Sequence, residues 1–212
     1  MMAPRGAHSW AFARRFRTRS FGWKSQPAIA RVREAVAEIA KVARTDPALA
    51  AEGAVLFLEK VSSALEHVDS SSGAMGTAVN RAIETLAALI ARAPADDLTR
   101  DRWLERLWQA YTDDEMPYIE LLGDHWGSLC ATPACASRWA DRLLPALRTS
   151  WADRRPGGYF RGTPLCLSSL LAAGRHQELL DLLETARHVS WVNRQWGMRA
   201  LAALGRVDDA VT

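Results

Sequence analysis

Apolar residues recur at helical spacing along most of the chain. Ile29, Val32, Val36, Ile39 and Ala43 follow one another at intervals of 3, 4, 3 and 4 residues, which stacks them on one face of a helix running from Pro27 to Thr45. Asp46 followed by Pro47 predicts the next start, because proline has no N–H to lose in the first turn and the Asp oxygen accepts from that turn. The second helix extends to about Val68 and buries Leu49, Leu56, Phe57, Val61, Ala64 and Leu65. Asp69 to Gly73 breaks it, and a third helix aligns Met75, Val79, Ala82, Ile83, Leu86, Leu89 and Ile90 before ending at Pro94 to Asp97. Thr99 is the expected cap of a fourth helix, with Leu98 and Trp103 as a hydrophobic staple and Leu104, Leu107, Trp108 and Tyr111 on its apolar face. A fifth helix is expected from Pro117 to Cys130. Thr132 and Pro133 open a sixth that passes through Trp139, Leu143 and Leu147 to Trp151, with a kink expected at Pro145.

Beyond the Pro156 to Gly158 loop the pattern turns into a repeat. Thr163 and Pro164 cap a helix that ends in Ala172-Ala173-Gly174-Arg175, and a helix carrying Leu179, Leu180, Leu182 and Leu183 follows at once. The phrase returns 31 residues later as Ala203-Leu204-Gly205-Arg206, then Asp208-Asp209-Ala210-Val211. Glycine suits the left-handed turn between two antiparallel helices. A helix pair with a period in the thirties resembles the tetratricopeptide family, at Gly205, Asp209 and Ala210, over about the last fifty residues. Trp196 sits where that family's first helix expects bulk, although the spacing is 31 and not 34. The last helix has barely begun at Thr212, so the expectation is a truncated reading frame, ahead of a repeat completed by a partner. From about Phe21 onward the chain also resembles an uncharacterised family of bacterial helical proteins, on Glu66-His67-Val68-Asp69-Ser70-Ser71-Ser72-Gly73, Pro117-Tyr118-Ile119-Glu120 and Gly123-Asp124-His125-Trp126-Gly127. That resemblance implies no activity, and it places the segment before Phe21 outside the common domain.

Composition supports helix: Ala, Leu, Arg and Glu make up 97 of 212 residues, against 27 for Val, Ile and Thr. The expected class is all-α, a right-handed helical repeat (an α-solenoid of tetratricopeptide or HEAT type) of antiparallel pairs. A disordered basic arm over residues 1–24 precedes a bundle or solenoid over 25–155, and tetratricopeptide-like pairs over 159–212 end in an incomplete repeat. Charge sharpens the division. The net +3 combines eight bases and no acid in residues 1–33 with 19 bases and 24 acids thereafter. Arg outnumbers Lys 24 to 3, which with so much Ala reflects GC-rich codons more than function. Three cysteines fit a reducing compartment better than a disulfide framework. With no apolar run near the roughly 20 residues a membrane helix needs, the expectation is a cytoplasmic protein.

Four groups of residues carry candidate chemistry. His67, Asp69 and Ser71 could form an acid–base pair or an anion site, but caps and a helix-dipole histidine are the simpler reading. Glu120, Asp124 and His125, beside Trp126, could hold a divalent ion, since residues four apart share a helix face. The di-iron pattern of Glu-x-x-His on two helices is missing, however, so a structural role is preferred and no metal or cofactor is expected. His125, Cys130 and Cys135 lack zinc-knuckle spacing. Arg14, Arg15, Arg17 and Arg19, interleaved with Trp10, Phe12, Phe16, Phe21 and Trp23, match the charge and stacking used for single-stranded nucleic acid. A disordered or artefactual tail is preferred over that reading and over a transit peptide. No P-loop, dinucleotide fingerprint or nucleophile elbow occurs. The expected function is therefore a non-enzymatic module that binds another protein, with His67, Asp69, Ser71, Glu120, Asp124, His125, Trp126 and Arg161 as candidate contacts. Nucleic-acid association through the arm and an enzyme site near His67, Asp69, Asp124 and His125 are the alternatives.

Overall fold

The structure, a computed structural model, describes residues 8–152, 159–186 and 190–206. Those residues are all-α, with no strand. They form a 3-10 turn at Phe12–Arg14 and the helices α1 (Ser25–Ala43), α2 (Pro47–Leu65), α3 (Ala74–Arg92) and α4 (Asp97–Asp113). A 3-10 segment at Glu120–His125 leads into α5 (Trp126–Leu129), α6 (Pro133–Ala152), α7 (Thr163–Ala172), α8 (His176–Thr185) and α9 (Trp191–Ala203). The chain divides into two units, Met1–Leu121 and Leu122–Thr212. The division does not fall at residues 156–158, where a composition-based boundary is expected.

In the first unit α1, α2 and α3 pack on one another and α4 packs on α2. Asp46 caps α2 as expected, accepting from Leu49 N at 3.0 Å with Pro47 in the first turn. The core face of α2 runs through Ala50, Ala54, Phe57, Leu58, Val61 and Leu65, so small alanines rather than Leu49 and Leu56 let neighbouring helices approach closely. Asp96, not Thr99, caps α4; its carboxylate accepts from Thr99 N at 2.8 Å. Arg100 is buried one turn later and donates to Ile90 O at 2.7 Å and Ala93 O at 2.8 Å, adding a charged donor to the carbonyls at the end of α3. Arg106 forks onto Glu59 (2.7 and 2.6 Å) and reaches Glu52 (2.9 Å), fastening α4 to α2. After α4, buried Asp114 accepts from Ser62 Oγ and from Ile119 N, the latter at 2.9 Å.

The arm is a correction. Residues 8–24 are not disordered: Trp10, Phe12, Phe16 and Phe21 are all buried and form an aromatic cluster with Phe57 of α2. Gly53 makes room for it, since a Cβ there would lie 2.6 Å from Cε2 and Cη2 of Trp10. Glu38 of α1 accepts from Ala11 N (2.7 Å) and Phe12 N (3.1 Å), capping the 3-10 turn from another element. Farther along, Arg19 N donates to Ser63 O and Phe21 N to Ala64 O, while Trp23 O accepts from Asp69 N.

In the second unit α7 is packed by α5, α6, α8 and α9, and Leu165, Cys166, Leu167, Ser169 and Leu170 are each 0% exposed. Gly127 lets α5 approach α7: a Cβ there would meet the Ser168 carbonyl and lie 2.7 Å from Ala172 Cβ. Its N–H donates to Ser168 Oγ (2.9 Å), which donates in turn to Asp124 O (3.1 Å). Helix α6 runs through Pro145 as one helix, and Thr132 caps it through Cys135 N at 3.2 Å. Thr163 does not cap α7; its hydroxyl donates to Phe160 O, and Gly162 holds the cap position.

Candidate functional site

The arginines of the arm divide into two kinds. Arg15 pairs with Glu34 at 3.0 Å and Arg19 with Glu66 at 2.7 Å. The Arg19 hydrogen bond holds the Glu66 carboxyl below its ordinary range. Arg14 and Arg17 are exposed, with Arg17 Nε donating to Arg14 O. The rings needed for stacking on bases are in the core, except Trp23, which is 72% exposed. Charge with interleaved aromatics is thus a docked strap, whose arginines latch it to α1 and α2.

His67 and Asp69 do not form an acid–base pair. The Asp69 carboxylate accepts from Ser71 N at 3.0 Å, closing a tight turn, and Ser71 draws its pKa down. His67 and Ser71 are exposed beside that turn. Gly73, at φ 70°, supplies the left-handed residue that opens α3.

The expected helix over 117–130 is instead a 3-10 segment followed by the one-turn α5. At three residues per turn, Glu120 and Asp124 do not share a face. Glu120 is exposed, while Asp124 and His125 are half-buried. Burial raises the Asp124 carboxyl above its ordinary value, against the opposing pull of His125 and Arg199. Trp126 is buried edge-on to Trp139, with ring centroids 4.9 Å apart, and is core rather than a contact surface. Arg161 is half-buried in the turn before α7. His67 and Asp69 belong to the first unit, and Asp124 and His125 to the second. Among the described residues no three His, Cys, Asp or Glu side chains are grouped to hold a metal ion. The three cysteines are buried and form no disulfide with one another, and burial pushes the Cys166 thiol up to about 12, leaving almost no thiolate at neutral pH.

The repeated phrase has the strongest geometric support in the second unit. Gly174 and Gly205 both adopt φ 73°. Ala173, Gly174 and Arg175 donate backbone N–H groups to Ser169, Leu171 and Leu170; Leu204, Gly205 and Arg206, 31 positions on, donate to Ala200, Ala202 and Leu201. Each turn is closed by the bond from the residue after the glycine back to the last turn of the helix. The core positions match as well: Leu165, Cys166 and Ser169 in α7 are buried, as are Trp196, Gly197 and Ala200 in α9. Gly197 admits α8, since a Cβ there would lie 2.9 Å from Leu183 Cδ1. Arg175 ties the first turn down through Glu178 (2.7 Å) and Asp141 (2.5 Å). Asp209 and Ala210, which complete the phrase, lie outside the described residues, as do Pro156 to Gly158.

Sequence reasoning missed the exposed end of α9. Trp191 is 72% and Val192 55% exposed, far more than a tryptophan and a valine at a helix start need be. Nothing in the sequence sets Trp191 apart from an interior tryptophan, since Trp191, Met198 and Ala202 share one helix face at the spacing that a buried stripe shows as well. Comparison of the chain with protein-family models, with curated proteins and with solved structures finds no match.

Proposed function

We propose that the chain is a helical-repeat module of tetratricopeptide type, cytoplasmic and non-enzymatic, that binds another protein through its second unit. The observation that carries this reading is the correspondence of α7 with α9, in turn geometry and in buried positions, at a shift of 31 residues. Stacked helix pairs of this kind present extended surfaces, and their usual use is recognition. Trp191 and Val192 are set in water on the last described helix, and an exposed tryptophan is the type of anchor that dominates interface energetics. The nucleic-acid alternative loses four of its five stacking rings to the core and retains only Trp23 beside the charge.

The test is affinity capture from native lysate by the intact chain and by a Trp191→Ala/Val192→Ser variant. A partner enriched by the first and lost from the second, at unchanged circular dichroism, is the expected result. No enriched partner, or one held equally by both, overturns the reading.

A further inference from the structure

The arm and α1 form a hairpin. Along α1 the contacts of the arm run backwards, from Ala11 and Phe12 at Glu38, through Arg15 at Glu34, to Phe21 at Arg31, whose guanidinium carbon lies 4.9 Å from the ring centroid. Along α2 they run forwards, from Trp10 at Gly53 to Arg19 at Ser63 and Phe21 at Ala64. The chain therefore reverses direction between Phe21, the last buried residue of the arm, and Ser25, where α1 starts. Three exposed residues make the reversal, Gly22, Trp23 and Lys24. A Cβ added at Gly22 would meet nothing within 4 Å, and Trp23 is 72% exposed. Asp69 N donates to Trp23 O at 2.9 Å, the bond that opening the reversal gives up.

A short reversal between a docked segment and the helix it docks on is the kind of hinge at which identical segments pass from one copy of a chain to another. The contacts of residues 8–21 with α1 and α2 are the same whichever copy supplies the arm. Their extent is enough to hold two chains together. Four rings of the arm are in the core, and at about 150–250 Å² each two exchanged arms bury about 1,200–2,000 Å², the range of stable interfaces. We propose that two copies of the chain exchange residues 8–21, each arm filling the groove between α1 and α2 of the other copy. The Arg15–Glu34 and Arg19–Glu66 latches then close between copies. Reciprocal exchange has two-fold symmetry, so the opened hinges run past each other near the axis and the two Trp23 rings, one from each copy, pack together there. Exchange thus covers a ring that a single copy leaves in water.

This proposal concerns the first unit and is independent of the module reading. The full chain, unfolded in urea and refolded at roughly 100 µM so that arms are free to pair either way, should sediment as a dimer with a Kd on the order of 10 µM. Exchange itself is read by cross-linking. A chain carrying Arg15→Cys is refolded together with an isotope-labelled chain carrying Glu34→Cys and treated with a short bismaleimide, the three native cysteines being buried. Because Arg15 and Glu34 meet at 3.0 Å, peptides joining residue 15 of one chain to residue 34 of the other are expected. Inserting Gly-Ser-Gly-Ser after Gly22 lets each arm close on its own chain, and should give a monomer of unchanged circular dichroism. Trp23→Ser should weaken the dimer about tenfold. A monomer at the starting concentration, a dimer without links between the two chains, or a dimer that survives the insertion overturns the proposal. Indifference to Trp23→Ser overturns the packing of the two rings at the axis.

Discussion

Gly53→Ala tests whether the arm belongs to the core. In the interior of a helix such as α2, alanine in place of glycine ordinarily stabilises by about 0.5–1 kcal/mol. Here the added methyl would lie 2.6 Å from two atoms of the Trp10 indole and closer to a third, so the ring must leave. Trp10 is only 6% exposed. Burying a tryptophan side chain removes about 150–250 Å² from water, or about 4–6 kcal/mol at 25 cal/mol per Å². Partial reburial of the ring and the helix gain offset some of this, leaving an expected net loss of about 2–4 kcal/mol. Urea unfolding followed by circular dichroism should show the loss, together with faster hydrogen exchange at Ala11 and Phe12. In a Trp10→Ala background the same glycine substitution should change sign and stabilise by about 0.5–1 kcal/mol. An equal effect in both backgrounds would refute the reasoning, because the penalty would then have another source.

Gly127→Ala should lower the stability of the second unit by about 1–3 kcal/mol, because the methyl meets the backbone of α7 at Ser168; unchanged hydrogen exchange in α7 would count against it. Asp124 has a folded-state pKa raised by burial, so the folded chain binds this carboxyl's proton more tightly than the unfolded chain does. Its contribution to stability is therefore fully present below the ordinary value of 3.8 and is lost as pH rises from there through the raised value. The difference in stability between Asp124→Asn and the native chain should thus grow in favour of the variant over that window, read from unfolding curves at several pH values; a flat difference contradicts the burial argument. Cys166, with its thiol at about 12, should resist iodoacetamide at pH 8 in the folded chain and react once unfolded in urea, as mass spectrometry of its peptide would show. Alkylation at the same rate in both states would mean that α7 is open.

Local rules read the helices well where local chemistry decides them. The Asp46-Pro47 start and the 3,4 spacing of α1 involve residues within a turn or two of each other, and both match the structure. Thr99 was a plausible cap by type, but Asp96 lies three residues before Thr99 N and holds the charge, which makes it the better acceptor. The stretch from Pro117 to Cys130 has helical composition; its path is set by Asp114, whose carboxylate fixes Ile119 N from outside the segment. The arm was illegible for a similar reason. Its aromatic spacing fits no regular period because the rings converge from a 3-10 turn and an irregular path, and the slot they enter is an absent side chain at Gly53. At the candidate site, the Gly174 and Gly205 turns were readable from a repeated phrase. The exposure of Trp191 was not, since tryptophan at helical spacing is usually interior.

The docking of the arm also orders events during synthesis. Trp10 leaves the ribosome 43 residues ahead of Gly53, an interval of roughly 2–9 s at 5–20 residues per second. Over that time the four aromatic rings that end in the core emerge in turn, solvated and interleaved with arginines, on a nascent chain whose Gly53 slot is not yet made. The arginines that later latch onto Glu34 and Glu66 would in the meantime keep that apolar stretch charged and apart from its neighbours on a polysome.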